Sequence, residues 1–159
     1  MENTFTDGRK IRFYFPSEKP GKSIVLYLHG GGWTIGSIEG SARICGDLAA
    51  ETGIDIATLD YRLAPEYRAP AALDDVLAAV QMLQDRGYER IYLAGDSAGG
   101  NLAACAGWKL RLEIAGLLLY YPVVLAKQDG SESWKEYAEG FGLDGDLMDA
   151  FNESYAPGK

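Results

Sequence analysis

Histidine, cysteine and basic side chains are scarce in this sequence of 159 residues. It holds one histidine, His29, and two cysteines, Cys45 and Cys105, while 15 lysines and arginines stand against 23 aspartates and glutamates. A single histidine and two cysteines far apart in the chain exclude a zinc site of the usual spacing. The net charge of −8 argues against a nucleic-acid partner, because a protein that contacts phosphates needs a basic face.

Long apolar runs are also missing. The longest, residues 114–126, is too short to span a bilayer and contains a glycine and a proline. The first ten residues, MENTFTDGRK, are polar and form no signal segment. With 47% hydrophobic residues the composition is typical of a globular domain. We therefore expect a soluble, cytoplasmic protein without a membrane span, in which both cysteines are reduced and buried.

Strand and helix patterns alternate along most of the chain. Near-continuous apolar runs predict strands, and apolar side chains at helical spacing predict helices between them. Strands are predicted at residues 11–15, 23–28, 54–59, 90–94 and 114–124. Helices are predicted at residues 41–52, from Pro70 through Leu83, and through Leu102, Ala106 and Leu110 after a sharp turn at residues 95–100. This alternation predicts a mostly parallel sheet with helices on both faces. Residues 131–156 show no strand pattern and are expected to form short helices over the sheet.

The segment Gly95-Asp96-Ser97-Ala98-Gly99 follows a predicted buried strand and opens a predicted helix. It is a G-x-S-x-G pattern, and so tight a strand-to-helix turn requires small residues two positions either side of the serine. Such a turn holds the hydroxyl at the carboxyl edge of the sheet, near the N–H groups that begin the helix. A glycine-rich turn with an incidental serine is the alternative, and the context favours a nucleophile.

The segment His29-Gly30-Gly31-Gly32-Trp33 directly follows the strand predicted at residues 23–28. Successive glycines let the backbone approach a ligand closely, so that N–H groups can stabilise a phosphate or a developing oxyanion. A phosphate loop of the G-x-G-x-x-G kind would need a third glycine where Ile35 stands, and no G-K-[ST] pattern follows. An oxyanion hole therefore fits this loop better.

Three motifs in a fixed order carry a resemblance to a known family: HGGGW at residues 29–33, YRLAPE at residues 61–66 and GDSAGGN at residues 95–101. Over about residues 10–124 the chain resembles the hormone-sensitive-lipase-like family of α/β-hydrolases, in which an HGGG loop accompanies the G-x-S-x-G turn. The resemblance implies an α/β-hydrolase fold that stops before the last strands. Residues 1–127 would be the N-terminal part of the core and residues 128–159 the start of a cap.

The same resemblance implies hydrolysis of short-chain carboxylic esters, as in bacterial esterases and acetyl esterases, with no metal or organic cofactor. Ser97 would be the nucleophile, and Trp33 would line the acyl pocket. The oxyanion hole would be formed by the backbone N–H groups of Gly31, Gly32 and Ala98. Structural support of the site would come from His29, Gly30, Asp96, Arg62 and Glu66.

The catalytic acid and base of such an enzyme are missing from this chain. In α/β-hydrolases the order is serine, then acid, then histidine, whereas no histidine follows Ser97 here. His29 belongs to the oxyanion loop, where we expect it to brace that loop and not to act as a base. The later carboxylates fall in the cap segment and are expected to be solvated surface groups: Asp129, Asp144, Asp146 and Asp149.

Three explanations of the missing acid and base remain open. The chain could be the N-terminal half of a longer enzyme, which we favour, or it could be completed by a second polypeptide. It could also be a relative that binds ligands without turnover, like the plant gibberellin receptors of this family. An amidase or formamidase would use the same apparatus. The open strand edge at residues 114–124 makes self-association plausible. The last aromatic side chains could line the pocket or, as we favour, pack cap helices on the core: Trp134, Tyr137, Phe141, Phe151 and Tyr155.

Overall fold

The computed structural model describes residues 2–4, 9–16, 21–125 and 130–158. Within them six strands form one sheet, in the order β1-β2-β4-β3-β5-β6. The strands are β1 (Glu2–Thr4), β2 (Lys10–Tyr14), β3 (Ser23–Leu28), β4 (Asp55–Leu59), β5 (Arg90–Asp96) and β6 (Gly116–Tyr120). β2 pairs antiparallel with β1 and β4, and the pairings among β4, β3, β5 and β6 are parallel. The predicted mostly parallel sheet is confirmed.

Helices cover both faces of this sheet. They are α1 (Ala42–Thr52), α2 (Ala71–Asp85), α3 (Ala98–Leu110), α4 (Glu132–Tyr137) and α5 (Gly145–Tyr155), with a 3₁₀ turn at Arg111–Glu113. Along β3 the side chains alternate, so that Leu26 and Leu28 join one buried cluster and Tyr27 joins the other. α1 contacts β2 and β4, whereas α3 contacts β3, β5 and β6. In the described part of the chain, no helix is long and apolar enough to cross a membrane.

The observed elements depart from the sequence pattern mainly at the ends of the chain. β6 is shorter than the apolar run at residues 114–124, since Pro122 has no N–H for a sheet ladder. β1 was not expected from its polar sequence and pairs with β2. The expectation that both cysteines are buried is wrong for Cys105, which is exposed. Asp129 and the boundary between residues 127 and 128 lie outside the described residues.

β6 lies at the edge of the described sheet. Its side chains from Leu117 to Tyr120 are each between 38% and 42% exposed. Beyond them Tyr121 and Val124 are more exposed still, as is Trp108 on α3. An apolar surface therefore runs along this edge of the described structure.

Candidate active site

Ser97 stands in a sharp turn between β5 and α3. Its backbone has φ 51° and ψ −118°, a conformation that a residue with a side chain rarely adopts. Its N–H donates to the carbonyl of Tyr120 at 3.0 Å, and its own carbonyl accepts from Val123 at 3.2 Å and from Asn101 at 3.0 Å. These bonds hold the strained turn in place. No described residue forms a hydrogen bond with the Ser97 hydroxyl.

The glycines around Ser97 let two loops touch through their backbones. A β-carbon on Gly99 would overlap the carbonyl oxygens of Leu28 and His29, at the end of β3. A β-carbon on Gly95 would overlap Gly99 itself. The spacing of the G-x-S-x-G pattern is thus explained by packing, since only glycine admits the HGGG loop this close to the serine turn.

The HGGG loop itself turns back sharply after β3. Gly31, Gly32 and Trp33 have positive φ angles of 119°, 58° and 56°. The N–H groups of Thr34 and Ile35 both donate to the Gly31 carbonyl, at 3.0 and 2.9 Å. A β-carbon on Gly31 would overlap the carbonyl of Ile35, so the tight turn itself requires glycine there.

Ser97 and the glycine loop open onto one cavity of about 260 Å³. Ala98, the first residue of α3, is fully buried next to the serine. The cavity walls are mostly apolar and come from the loop, from the segment after β6 and from residues 143–152: Gly31, Gly32, Trp33, Ile35, Val123, Leu143, Leu147, Met148, Phe151 and Asn152. The structure therefore brings together Ser97, Gly31, Gly32 and Trp33, as the motifs predict.

Asp96 joins the serine turn to the glycine loop. One carboxylate oxygen, Oδ1, accepts from the Tyr27 hydroxyl at 2.8 Å and from the Gly30 N–H at 3.1 Å. Burial, and then the hydrogen bond to Asp96, raises the pKa of Tyr27, so this phenol stays a donor. The peptide between His29 and Gly30 is therefore held by a side chain of the serine turn.

His29 is buried inside the base of the glycine loop. Its ring stacks on Tyr61 with centroids 4.3 Å apart, and its Nδ1 lies 2.8 Å from the Gly30 carbonyl. The Tyr61 hydroxyl donates to the His29 carbonyl at 2.7 Å. Burial lowers the pKa of His29, which favours the neutral ring. These contacts place the imidazole as a brace of the loop, and none of them joins it to Ser97.

Arg62 is held by a fully buried carboxylate that the sequence analysis did not single out. Asp75 accepts from the Arg62 backbone N–H at 2.8 Å and from its Nη2 at 2.5 Å, and Arg9 pairs with the same carboxylate at 2.5 Å. This network fixes the start of the segment at residues 62–66. The signal was present, because Asp75 falls at helical spacing among the apolar residues of α2 that face the core.

Glu66 lies on the surface, away from these contacts. Within the described ranges it forms no hydrogen bond or ion pair, so the structure shows no contact through which Glu66 would support the site. The other predicted supports, His29, Gly30, Asp96 and Arg62, all lie in the hydrogen-bonded frame around the two loops.

Helix α5 supplies cavity residues that lie outside the three motifs. Leu147 and Phe151 are four residues apart, as are Met148 and Asn152, so that all four lie on one helical face, which is the signal that could have found them. Two of the late aromatic side chains take the predicted roles, since Phe151 lines the cavity and Tyr155 packs against the core. Tyr137 and Phe141 take neither role, because both are exposed and pack edge to face on each other, 5.0 Å apart.

A family model described as the alpha/beta hydrolase fold matches residues 25–159. The chain belongs to this α/β-hydrolase family. The resemblance to its hormone-sensitive-lipase-like esterases is thereby confirmed, together with the predicted fold class.

Relatives of this α/β-hydrolase chain are esterases. It is 35% identical to the carboxylesterase NlhH of Mycobacterium tuberculosis, over 93% of this chain and 50% of that protein. It is 32% identical to an ethyl acetate hydrolase of Pseudomonas putida, over 92% of this chain and 50% of the relative. The chain thus spans about half the length of the curated relatives it matches.

A solved structure shows the same correspondence. The thermophilic carboxylesterase EstE1, cloned from a metagenomic library, superposes with a TM-score of 0.89 at 38% identity. The match covers 98% of this chain and 57% of the EstE1 chain.

Across the described residues of the present chain, no group of three or more histidine, cysteine, aspartate or glutamate side chains could hold a metal ion.

Proposed function

We propose that this chain carries the nucleophile and the oxyanion hole of a hydrolase that cleaves short-chain carboxylic esters. The observation that carries the proposal is the position of Ser97, in a strained turn that opens onto the cavity it shares with Gly31 and Gly32. Esterases among the relatives, including a carboxylesterase and an ethyl acetate hydrolase, support an ester as the substrate.

In the proposed reaction the Ser97 hydroxyl attacks the acyl carbonyl and loses its proton to a base. The negative charge that develops on the carbonyl oxygen is stabilised by the N–H groups of Gly31, Gly32 and Ala98. The alcohol leaves, and water then cleaves the acyl-serine to release the acid. The mostly apolar lining of the cavity supports an acyl group as its occupant, and the ethyl acetate hydrolase among the relatives supports a short one.

The acid and the base are proposed to come from residues outside these 159. His29 is occupied as a brace of the glycine loop, and the described residues offer the Ser97 hydroxyl no hydrogen-bond partner. We therefore infer that the 159-residue chain alone is nearly inactive, because a triad without its base loses most of its rate advantage. A complementing C-terminal polypeptide would pair at the exposed edge of β6.

Binding of a ligand without turnover is the second candidate, favoured by the same unpartnered hydroxyl. Hydrolysis of an amide by the same apparatus is the third candidate, and a comparison of matched ester and amide substrates separates it from ester hydrolysis.

We further propose that residues 128–159 begin a cap on a core of residues 1–127, since α5 forms one wall of the cavity. The two unpaired cysteines fit a cytoplasmic location.

Hydrolysis of p-nitrophenyl acetate tests the proposal in two proteins. The chain alone should turn the ester over no faster than its Ser97→Ala variant. A chimera that continues these residues with the unmatched part of EstE1 should hydrolyse it, and Ser97→Ala should abolish that activity. Turnover by the chain alone that depends on Ser97 would contradict the missing base. A folded chimera that binds the ester without turnover would favour the second candidate.

A further inference from the structure

The C-terminal turn of α5 is attached to the glycine loop through stacked rings. The ring of Tyr155 lies parallel to the Trp33 ring, with centroids 4.6 Å apart and planes 8° apart. Trp33 directly follows Gly32 and itself has a positive φ of 56°. An aromatic pair of this kind contributes about 0.5–1.5 kcal/mol beyond the area it buries. The stack therefore acts on the residue that ends the proposed oxyanion loop.

The backbone of the same two residues is tied to a third segment. The Tyr155 carbonyl accepts from the Ala69 N–H at 2.8 Å, and the Trp33 carbonyl accepts from the Ala64 N–H at 2.8 Å. Both donors belong to the connection between β4 and α2. Helix α5, the glycine loop and this connection thus form a closed set of contacts around Tyr155 and Trp33.

One turn earlier on α5, the Phe151 ring lies directly against the glycine loop. A β-carbon on Gly32 would overlap that ring. The helix therefore contacts both Gly32 and Trp33, which are the residues that direct the second half of the loop. Movement of α5 away from the core would release both contacts together.

The ring of Tyr155, and not its hydroxyl, makes these contacts. Across the described ranges its hydroxyl has no hydrogen-bond partner, and burial raises the pKa of Tyr155 to about 12. The phenol is therefore neutral at ordinary pH and contributes mainly apolar, stacked area. A substitution that removes the ring should therefore have a different effect from one that removes only the hydroxyl.

We propose that Tyr155 is a positioning residue that holds the Gly31–Gly32–Trp33 turn in its observed conformation by stacking on Trp33. This rests on the proposed function, in which Gly31 and Gly32 supply oxyanion donors. Helix α5 then does more than line the cavity, because its docking on the core and the observed conformation of the loop are gained and lost together. Loss of the stack should make the loop open more often.

Amide hydrogen exchange of the 159-residue chain measures this directly. Thr34 and Ile35 report the turn, since both N–H groups donate to the Gly31 carbonyl, and Ala69 reports the docked end of α5. Tyr155→Leu should speed exchange of all three amides by about tenfold, as the loss of about 1.4 kcal/mol implies. Exchange of Leu93 in the central strand should not change.

Two matched variants define the contribution of the ring. Tyr155→Phe keeps the stack and should exchange like the parent chain. Tyr137→Leu removes an aromatic contact of the cap that does not involve Trp33, and it should leave Thr34 and Ile35 unchanged. Equal effects of the Tyr137 and Tyr155 substitutions on the turn, or no effect of Tyr155→Leu, would overturn the proposal.

The parent chain provides a test that needs no substitution. In low concentrations of denaturant, the amides of Thr34, Ile35 and Ala69 should open with the same free energy, because one undocking event exposes them. Separate opening energies would contradict the proposal even if Tyr155→Leu failed to fold. Neither readout requires hydrolysis, so a failure of the proposed function, seen as an inactive chimera, is distinguishable from a failure of this inference.

Discussion

β4 and β6 are both strands of the parallel part of the sheet, yet they sit in opposite surroundings. β4, with the sequence DIATL, is buried at every residue, between β2 and β3. β6, with the sequence GLLLY, is the more apolar strand and has most of its side chains exposed. In parallel sheets both faces are normally covered, which is why their strands are apolar throughout. The composition of β6 therefore matches a covered strand, whereas its position is an open edge.

The difference shows which part of the fold these residues complete by themselves. On the β4 side, β2 and α1 add a neighbouring strand and a helix. On the β6 side α3 packs against the strand, and Trp108 on that helix is itself exposed. The site lies between the two regions, at the carboxyl ends of β3 and β5. We expect substitutions to cost stability on the first side and to change association on the second.

The largest effect is expected from removing the buried Asp75 carboxylate, which binds Arg9 just before β2 and Arg62 shortly after β4. Asp75→Ala leaves the Arg62 and Arg9 guanidinium groups without the partner that both contact. Breaking a buried ion pair in this way costs about 3–5 kcal/mol. Urea denaturation should show this loss in the free energy of unfolding. The neighbouring Asp74 is exposed and provides the control. Asp74→Ala should change the free energy of unfolding by less than about 0.5 kcal/mol.

A direct comparison of the two strands should give the next largest effect. Ile56→Ala in β4 removes a side chain that is 1% exposed and should cost about 3 kcal/mol. Leu118→Ala in β6 removes one that is 42% exposed and should cost less than about 1 kcal/mol. Similar losses in urea denaturation would show that β6 is already covered in solution, for instance by another copy.

A smaller effect should appear on acidification. Burial lowers the pKa of His29 in the folded protein, so the unfolded chain binds a proton first as the pH falls below about 6.5. The contribution of His29 to stability is thus complete above that pH and declines below it, down to its folded-state pKa. Within that window the loss is at most about 1.4 kcal/mol per pH unit.

Denaturation at several pH values, with His29→Asn as the comparison, checks this. The variant should lose the part of the pH dependence that begins just below about pH 6.5, while the part due to carboxylates remains. An unchanged slope in the variant would show that His29 titrates alike in the folded and unfolded states.

The smallest effect on stability, with a clear effect on association, is expected at the open edge. Leu118→Lys places a charge on β6, and lysines on edge strands oppose pairing between chains. Size-exclusion chromatography should show the parent chain associating with increasing concentration and the variant remaining monomeric. A monomeric parent chain at all concentrations would remove the argument for self-association.

The sequence predicted the central fold and the two loops well, because both depend on local signals. Continuous apolar runs marked β3 and β5, and the glycines around Ser97 are needed by packing that the motif itself implies. The ion pairing of Asp75 and the stacking of Tyr155 on Trp33 were missed, since each contact joins residues far apart in the chain. The exposure of β6 could not be predicted from its own composition, because apolar residues alone do not show what covers them.

The most direct test of the central claim, that Ser97 is an esterase nucleophile, is covalent labelling of the chimera with EstE1. A p-nitrophenyl alkylphosphonate transfers its phosphonyl group to an activated serine with release of nitrophenol. Peptide mapping by mass spectrometry should place one phosphonyl group on the peptide that contains Ser97, and none on the Ser97→Ala protein. A phosphonyl group on another residue, or none on a folded chimera that hydrolyses p-nitrophenyl acetate, would contradict it.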